Sequence, residues 1–374
     1  MLSRVYIDNY RCFVNFTFKP AREQLVLGAN GAGKTAFLDA LRAVRDFAVM
    51  GEKVQRFFNE ETKTRWQQLT LQTFELEVIG NGGTYLYTLA VDVQDDKAGY
   101  RVLTEALDFE EKPLLLFVDD QVRLYDDRHQ KTAEYPFDSD RSALSVLGRR
   151  RTSSKLEWFK TWLSRLLCLR IDPAQMGAEA REDDDYLDDH LRNFAAWYSH
   201  VIQEETGSLI RLQGALKDVL DGFDSLDLKR VGRTARVLQA NFSQSNNASP
   251  PASQLIRFDF DELSDGQKVL VALYVLLNSA IEPSTTICID EPDNFLALAE
   301  IQPWLFALSD RIQDMGAQAI LISHHPELID LLAPDHGVIF SRDGVGPVRV
   351  DQYRPDSLGK LRPSEMVARG WERG

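Results

Sequence analysis

Leu25-Val26-Leu27 is a short unbroken apolar run, and after Gly33 the apolar positions Phe37, Leu38, Leu41 and Val44 recur every three or four residues. This succession predicts a buried strand, then an amphipathic helix that reaches about Val49 and is stopped by Gly51. Upstream the period is two: Val5 and Ile7 alternate with Tyr6 and Asp8, followed by Phe13, Phe16 and Phe18. Two short strands joined around Asp8-Asn9-Tyr10-Arg11 fit that pattern. The same alternation returns in Phe74-Glu75-Leu76-Glu77-Val78-Ile79, and Gly80-Asn81-Gly82-Gly83 is a hairpin turn before a partner strand from Thr84 to Val93. Strands at 101–109, 114–118 and 121–125 extend this into an antiparallel sheet.

The pattern changes near Ser142. Residues 155–169 put Leu156, Phe159, Leu163, Leu166 and Leu167 on one helical stripe, with Trp158 and Trp162 at its edges, and Asp172-Pro173 ends it. Helices resume at 187–205 and 208–221, and residues 243–253 form a polar Pro/Ser loop. Beyond it come a strand at Ile256–Phe260 and an apolar helix with Val269, Leu270, Ala272, Leu273 and Leu276. A buried strand at Thr285–Ile289, a helix from Ile301 to Met315 and a second buried strand at Ala319–Ser323 complete the series. The chain thus divides into a first lobe at 1–140, a helical insertion at 141–255 and a second lobe at 256–374. It carries no internal repeat and no long heptad run.

Composition narrows the class. An apolar fraction of 44% over 374 residues supports a substantial core. Cys12, Cys168 and Cys288 are scattered, two of them within apolar runs, which points to buried free thiols and a reducing, cytoplasmic setting. No signal-peptide core opens the chain and no apolar run approaches membrane-spanning length, so a soluble protein is expected. The net charge of −14 opposes a surface that grips DNA everywhere, although Arg149-Arg150-Arg151, followed by Lys155 and Lys160, is a local basic candidate. The acidic run Glu182-Asp183-Asp184-Asp185 with Asp188-Asp189 lacks calcium-loop spacing and is expected to be a solvated linker.

The chemistry concentrates at strand ends. Gly28-Ala29-Asn30-Gly31-Ala32-Gly33-Lys34-Thr35 lies between the first buried strand and its helix, the context in which Gly-x-x-x-x-Gly-Lys-Thr cradles phosphates. Glycines permit positive φ, backbone N–H groups and the helix N-terminus face the anion, Lys34 supplies charge to the β/γ-phosphates and Thr35 a hydroxyl to Mg²⁺. A nucleoside triphosphate is therefore the expected ligand. Asp290 and Glu291 close the buried 285–289 run, where one can hold Mg²⁺ and the other can take a proton from attacking water. His324, at the end of the 319–323 strand, can hydrogen-bond the γ-phosphate or that water; a metal shared with His325 is disfavoured because neighbours on a strand point oppositely. Leu263-Ser264-Asp265-Gly266-Gln267 opens the apolar helix, and Ser264 is also a good N-cap for it.

In this order the motifs resemble an ABC-type ATPase head: Gly28–Thr35 its Walker A, Leu263–Gln267 its signature, Ile287–Glu291 its Walker B and His324 its switch histidine. Asn9-Tyr10-Arg11-Cys12-Phe13, Asp290-Glu291-Pro292-Asp293-Asn294 and Ser323-His324-His325-Pro326 resemble the branch holding SMC proteins, RecF and the OLD nucleases. The resemblance implies an α/β P-loop NTPase with a mixed central sheet, an antiparallel β-subdomain and a helical insertion. It implies ATP and Mg²⁺ as cofactors, with Asn30, Gly31, Ala32, Gly33, Lys34 and Thr35 on the phosphates. It implies two copies meeting on ATP, with Ser264, Gly266 and Gln267 of one serving the nucleotide of the other and Asn294 in the crossing loop. Gln72 is its candidate metal-side glutamine, with Gln68 the alternative. Asp265 departs from the usual signature glycine. The fifty residues after His324 are too few for the nuclease domain that follows in OLD proteins, so the resemblance is to the ATPase part alone. A homodimeric sensor or clamp in prokaryotic DNA metabolism follows, serving anti-phage defence or genome maintenance with a separately encoded effector such as a nuclease. The alternatives are a RecF-like repair ATPase that binds DNA directly and the energy-coupling subunit of an ABC transporter.

Overall fold

The computed structural model describes residues 1–94, 99–148, 153–204, 206–243, 255–354 and 361–370. The basic cluster Arg149–Arg151 and nearly all of the 243–253 loop lie outside the described residues. From the N-terminus the chain forms β1 (Leu2–Asp8), β2 (Phe16–Phe18), β3 (Glu23–Leu27), α1 (Lys34–Met50), β4 (Leu71–Gly80), β5 (Gly83–Val93), β6 (Tyr100–Phe109), β7 (Lys112–Val118), β8 (Gln121–Tyr125) and β9 (Lys131–Pro136). It continues with α2 (Ser154–Ser164), β10 (Leu166–Arg170), β11 (Glu179–Ala180), α3 (Phe194–Glu204), α4 (Thr206–Val219), β12 (Phe223–Val231), β13 (Ala235–Ser243) and β14 (Leu255–Asp259). The last part holds α5 (Asp265–Ser279), β15 (Thr286–Asp290), α6 (Leu298–Met315), β16 (Gln318–Ile322), α7 (Pro326–His336), β17 (Gly337–Ser341), β18 (Arg349–Gln352) and α8 (Pro363–Ala368). Two compact units result: Met1–Cys168 with Ser284–Cys288 and Gln318–Gly374, and Leu169–Pro283 with Ile289–Ala317.

The first unit carries an eight-stranded antiparallel sheet in the order β2-β1-β4-β5-β6-β7-β8-β9. Its strands alternate because one face is buried: Tyr85, Tyr87, Leu89 and Val91 of β5 are all inaccessible. Asn81 and Gly82 both take positive φ, the geometry that lets a two-residue turn follow the strand twist into β5. Trp158 of α2 stacks on Tyr85 with ring centroids 4.9 Å apart and rests on Gly80, where a Cβ would sit 2.2 Å from the indole.

The second sheet has the order β10-β15-β16-β3-β17-β18. β3 runs parallel to both β16 and β17, and β18 closes the edge antiparallel to β17. β15 starts level with β16, since Gln318 N–H donates to the Thr285 carbonyl at 2.8 Å. The Gln318 side chain is fully buried and ties the two sheets together: its Oε1 accepts from Leu2 N at 2.8 Å, and its Nε2 donates to Leu2 and Ala21 carbonyls at 2.9 Å. Phe18, Phe37 and Phe340 bring β2, α1 and β17 into one aromatic cluster, with centroids 5.4 to 5.8 Å apart. Glu105, also fully buried, accepts hydrogen bonds from Tyr87, Ser142 and the Ala143 amide, and burial pushes its carboxyl above the ordinary range.

The second unit is built on a smaller sheet, β11-β13-β12 with β14 beside β13, and on α3 to α6. α5 buries an unbroken run from Val269 to Leu277, and Trp304 of α6 donates its indole N–H to the Leu273 carbonyl at 3.1 Å.

Three expectations need correction. The 155–169 helix stops at Ser164, and Leu166–Arg170 is a strand. The segment expected as a helical insertion is helical only in part, because 223–243 is a hairpin turning at Gly232. The acidic run is not simply solvated: Asp184 and Asp188 accept backbone N–H groups of Tyr186 and His190, and Asn193 bonds Asp184, so α3 starts at Phe194 rather than 187.

Candidate nucleotide site

The loop after β3 owes its shape to its glycines. Gly28, Gly31 and Gly33 take φ of 141°, 78° and 102°, a region other residues rarely enter. Gly28 is also required by space, because a Cβ there would lie 2.2 Å from the Phe340 carbonyl oxygen. A Cβ on Gly33 would lie 2.6 Å from Val348 and 3.1 Å from the Cys12 sulfur. Burial pushes the Cys12 thiol up, so this sulfur packs rather than reacts. Lys34 is 7% exposed and donates its ammonium to the Gly28 carbonyl at 2.7 Å and the Ala29 carbonyl at 3.2 Å. α1 starts on Gly33 with no side-chain cap and no acid in its first turn, the arrangement that leaves a helix N-terminus suited to an anion. Ala29, Asn30, Gly31 and Thr35 are exposed, while Ala32 and Gly33 are buried.

β16 brings the histidines to this loop. Ile322 is in register with Val26, so Ser323 and His324 leave the sheet one strand away from Leu27 and Gly28, about 4.8 Å across. His324 is exposed. His325 serves the fold instead, since its Nδ1 accepts the Glu327 N–H at 3.3 Å and caps α7. On the other side of β3, Arg342 donates from Nη1 to the Gly31 carbonyl at 3.1 Å. Nothing near Arg342 in the sequence signals this contact; its position just after the buried strand β17 is the one hint available.

Gln72 does not join them. It is fully buried in β4, and its amide donates to the Asn9 carbonyl at 2.9 Å and to Thr62 Oγ1 at 3.3 Å. Contrary to the expectation from sequence, Gln72 is not a metal-side ligand, since its side chain is engaged inside the sheet. Gln68 is exposed.

The remaining candidates lie in the second unit. Asp290 is the last residue of β15 and is 5% exposed. Glu291 follows with φ 53°, and its Oε2 accepts from Asn294 Nδ2 at 2.6 Å. Phe295 has φ 71° and is 58% exposed. Gly266 packs against this turn, since a Cβ on it would lie 2.8 Å from the Phe295 carbonyl oxygen. Ser264 and Asp265 are exposed. The N-terminus of α5 is already capped within the chain: Gln267 N donates to Ser264 Oγ at 3.3 Å, and Gln267 Oε1 accepts from Ser264 N at 3.1 Å. The N-cap role read from the sequence is thus present.

Among the described residues, no group of three or more His, Cys, Asp or Glu side chains is placed to hold a metal. That fits Mg²⁺, which takes one or two protein oxygens and completes its shell with water and substrate phosphate. Thr35, exposed in the first turn of α1, offers one such oxygen.

A buried strand, a glycine loop ending in lysine and an uncapped helix, set in a mixed sheet, are the parts of a P-loop nucleotide-binding fold. Residues 25–330 match the family described as "AAA domain, putative AbiEii toxin, Type IV TA system", and the chain belongs to that family. Such ATPases use nucleotide and usually Mg²⁺. No curated protein matches the sequence. Among solved structures the chain is similar to an SMC head bound to the C-winged helix domain of ScpA. The TM-score is 0.57 at 11% identity, over 94% of this chain and 98% of that one. An SMC head domain from Thermotoga maritima also matches, with a TM-score of 0.48 at 13% identity over 95% and 99% of the two chains. Among the described residues no helix is long and apolar enough to cross a membrane.

Proposed function

We propose that the protein is a Mg²⁺-dependent ATP hydrolase whose two copies close head to head on ATP. Closure is the signal that a separately encoded effector, such as a nuclease, reads in prokaryotic defence or genome maintenance. The observation that carries the proposal is Lys34, a buried ammonium donating to two loop carbonyls beside an uncapped helix N-terminus. A triphosphate offers that ammonium charged acceptors and the α1 N–H groups an anion. In this reading Lys34 meets the β/γ-phosphates, Thr35 and Asp290 hold Mg²⁺, Glu291 takes a proton from the attacking water and His324 contacts the γ-phosphate. The exposed Ser264, with Gly266 and Gln267, serves the nucleotide of the second copy, where its hydroxyl exchanges the Gln267 bond for a phosphate oxygen. Asn294 positions Glu291. The family description names a toxin of a TA system, and the similar SMC head carries a bound winged-helix partner; both support a two-protein device.

The test is phosphate release together with light-scattering mass, with and without Mg-ATP. Glu291→Gln should lower turnover about a hundredfold or more, the range for loss of a general base, while ATP-dependent dimer accumulates. Unchanged turnover and unchanged mass in that variant would overturn the proposal.

A further inference from the structure

At the far end of α1 from the phosphate loop, α1, α2 and residues 144–148 line a cavity of about 340 Å³. Lys34 opens the helix and Ala48 borders the cavity, so the two places are about 21 Å apart at 1.5 Å per residue. Val49, Leu144, Leu147 and Leu163 supply an apolar wall, while Glu157 and Lys160 stand one turn apart on α2. The volume is at the small end of the range for ligand pockets, which suits an occupant of amino-acid size rather than a nucleotide.

The polar groups of this cavity are not matched to one another. Oε1 of Glu157 is buried and has no hydrogen-bond partner among the described residues. The cavity's serine hydroxyls are engaged elsewhere: Ser145 Oγ donates to the Ser142 carbonyl at 2.7 Å and Ser164 Oγ to the Thr161 carbonyl at 2.9 Å. Lys160 donates to the Leu147 carbonyl rather than to that oxygen. A lysine ammonium carries three N–H donors, and this bond uses one of them. Burial pushes the Lys160 ammonium below the ordinary lysine range, a cost that an anion beside it would offset. A buried carboxylate oxygen with no donor calls for an N–H partner from outside the chain. Glu157 also borders a cleft of about 10 Å³, room for a water at most, so only the larger cavity admits a charged molecule.

We propose that this cavity binds a free α-amino acid with an apolar side chain. Its ammonium donates to Glu157, its carboxylate accepts from Lys160 and its side chain lies against the leucine wall. One acid and one base a turn apart complement a zwitterion, whereas a simple anion meets the Glu157 charge and a simple cation the Lys160 charge. The site needs no nucleotide and stands whether or not the phosphate loop binds one.

Calorimetry on the full chain without nucleotide tests each contact. L-phenylalanine should bind more tightly than phenethylamine, which lacks the carboxylate, and than 3-phenylpropionate, which lacks the ammonium. Glu157→Gln, equal in size, should weaken phenylalanine by between about tenfold and a hundredfold, the span of a hydrogen bond to a charged group, and leave 3-phenylpropionate no weaker. Lys160→Met should weaken phenylalanine and leave phenethylamine no weaker. Thermal unfolding checks that both variants fold, and the wild-type ranking of the three probes stands without them. Wild type that bound neither L-phenylalanine nor L-leucine, or that bound the three phenyl probes alike, would overturn the proposal. So would Glu157→Gln or Lys160→Met binding phenylalanine as wild type does; in the first case the orphan oxygen serves only a water.

Discussion

Two loops leave the C-terminal ends of buried strands in this molecule, and they reach similar backbone angles by opposite means. The loop after β3 places its positive φ values on Gly28, Gly31 and Gly33. The loop after β15 places them on Glu291 and Phe295. Glycine enters that region without penalty, whereas a side chain there costs about 1–2 kcal/mol and a bulky one is a true outlier. The first loop therefore has its shape written into its composition. The second is held by neighbours, namely the Asn294 amide on Glu291 and the backbone packing of Gly266 against Phe295. A cradle has to be ready before its ligand arrives, and glycines make it so. A loop held by contacts can change when those contacts change, which suits the general-base role proposed for Glu291.

Gly28→Ala tests the first loop and should have the largest effect. The added methyl meets the Phe340 backbone carbonyl oxygen at 2.2 Å, so loop or strand must move. ATP affinity should fall at least about a hundredfold, a loss typical of displaced positioning groups. Gly31→Ala is the control, since nothing lies within 4 Å of a Cβ there and only the strained φ of 78° remains. It should cost about 1 kcal/mol of stability and far less affinity. Equal effects from the two, measured by calorimetry and thermal unfolding, would show that space does not matter at Gly28.

The second loop is probed next at Asn294. Asn294→Ala removes the 2.6 Å hydrogen bond that orients Glu291. Turnover should fall about tenfold, in line with a hydrogen bond to a charged group, and ATP affinity should stay as it is. Unchanged turnover in Asn294→Ala would mean that the contact does not persist in the working enzyme.

Much of the first loop was legible in the sequence, and little of the second. Gly28–Thr35 is contiguous, so strand, glycines, lysine and helix can be read in one line. β4 to β8 were legible for a related reason, since one buried face imposes a strict period of two. β10 was not, because Leu166, Leu167 and Leu169 satisfy a helical stripe as well as a buried strand. β12 and β13 were missed because so little of them is buried; Leu226, Leu238 and Ala240 stand among exposed or half-buried polar neighbours such as Asp227, Lys229 and Arg236. At the site the misses share one cause. Gln72 answers to Asn9, and Arg342 to Gly31, partners far away in the chain. The positive φ of Glu291 and Phe295 likewise has no signature in residue type.

Phe295→Gly is the smallest change expected and the most direct measure of the contrast between the loops. At 58% exposure the phenyl ring contributes little burial, so its removal loses little packing. Glycine takes φ 71° without strain, and against that stands the extra entropy it brings to the unfolded chain. The two nearly offset, with a net gain of up to about 1 kcal/mol in unfolding free energy. Phe295→Ala gives up the ring but keeps the strain and should show no gain. If Phe295→Gly instead lost stability relative to Phe295→Ala, the backbone at 295 would carry no stored strain. The loop after β15 would then be as relaxed as the glycine loop after β3, and its shape would need another cause than the contacts of Asn294 and Gly266.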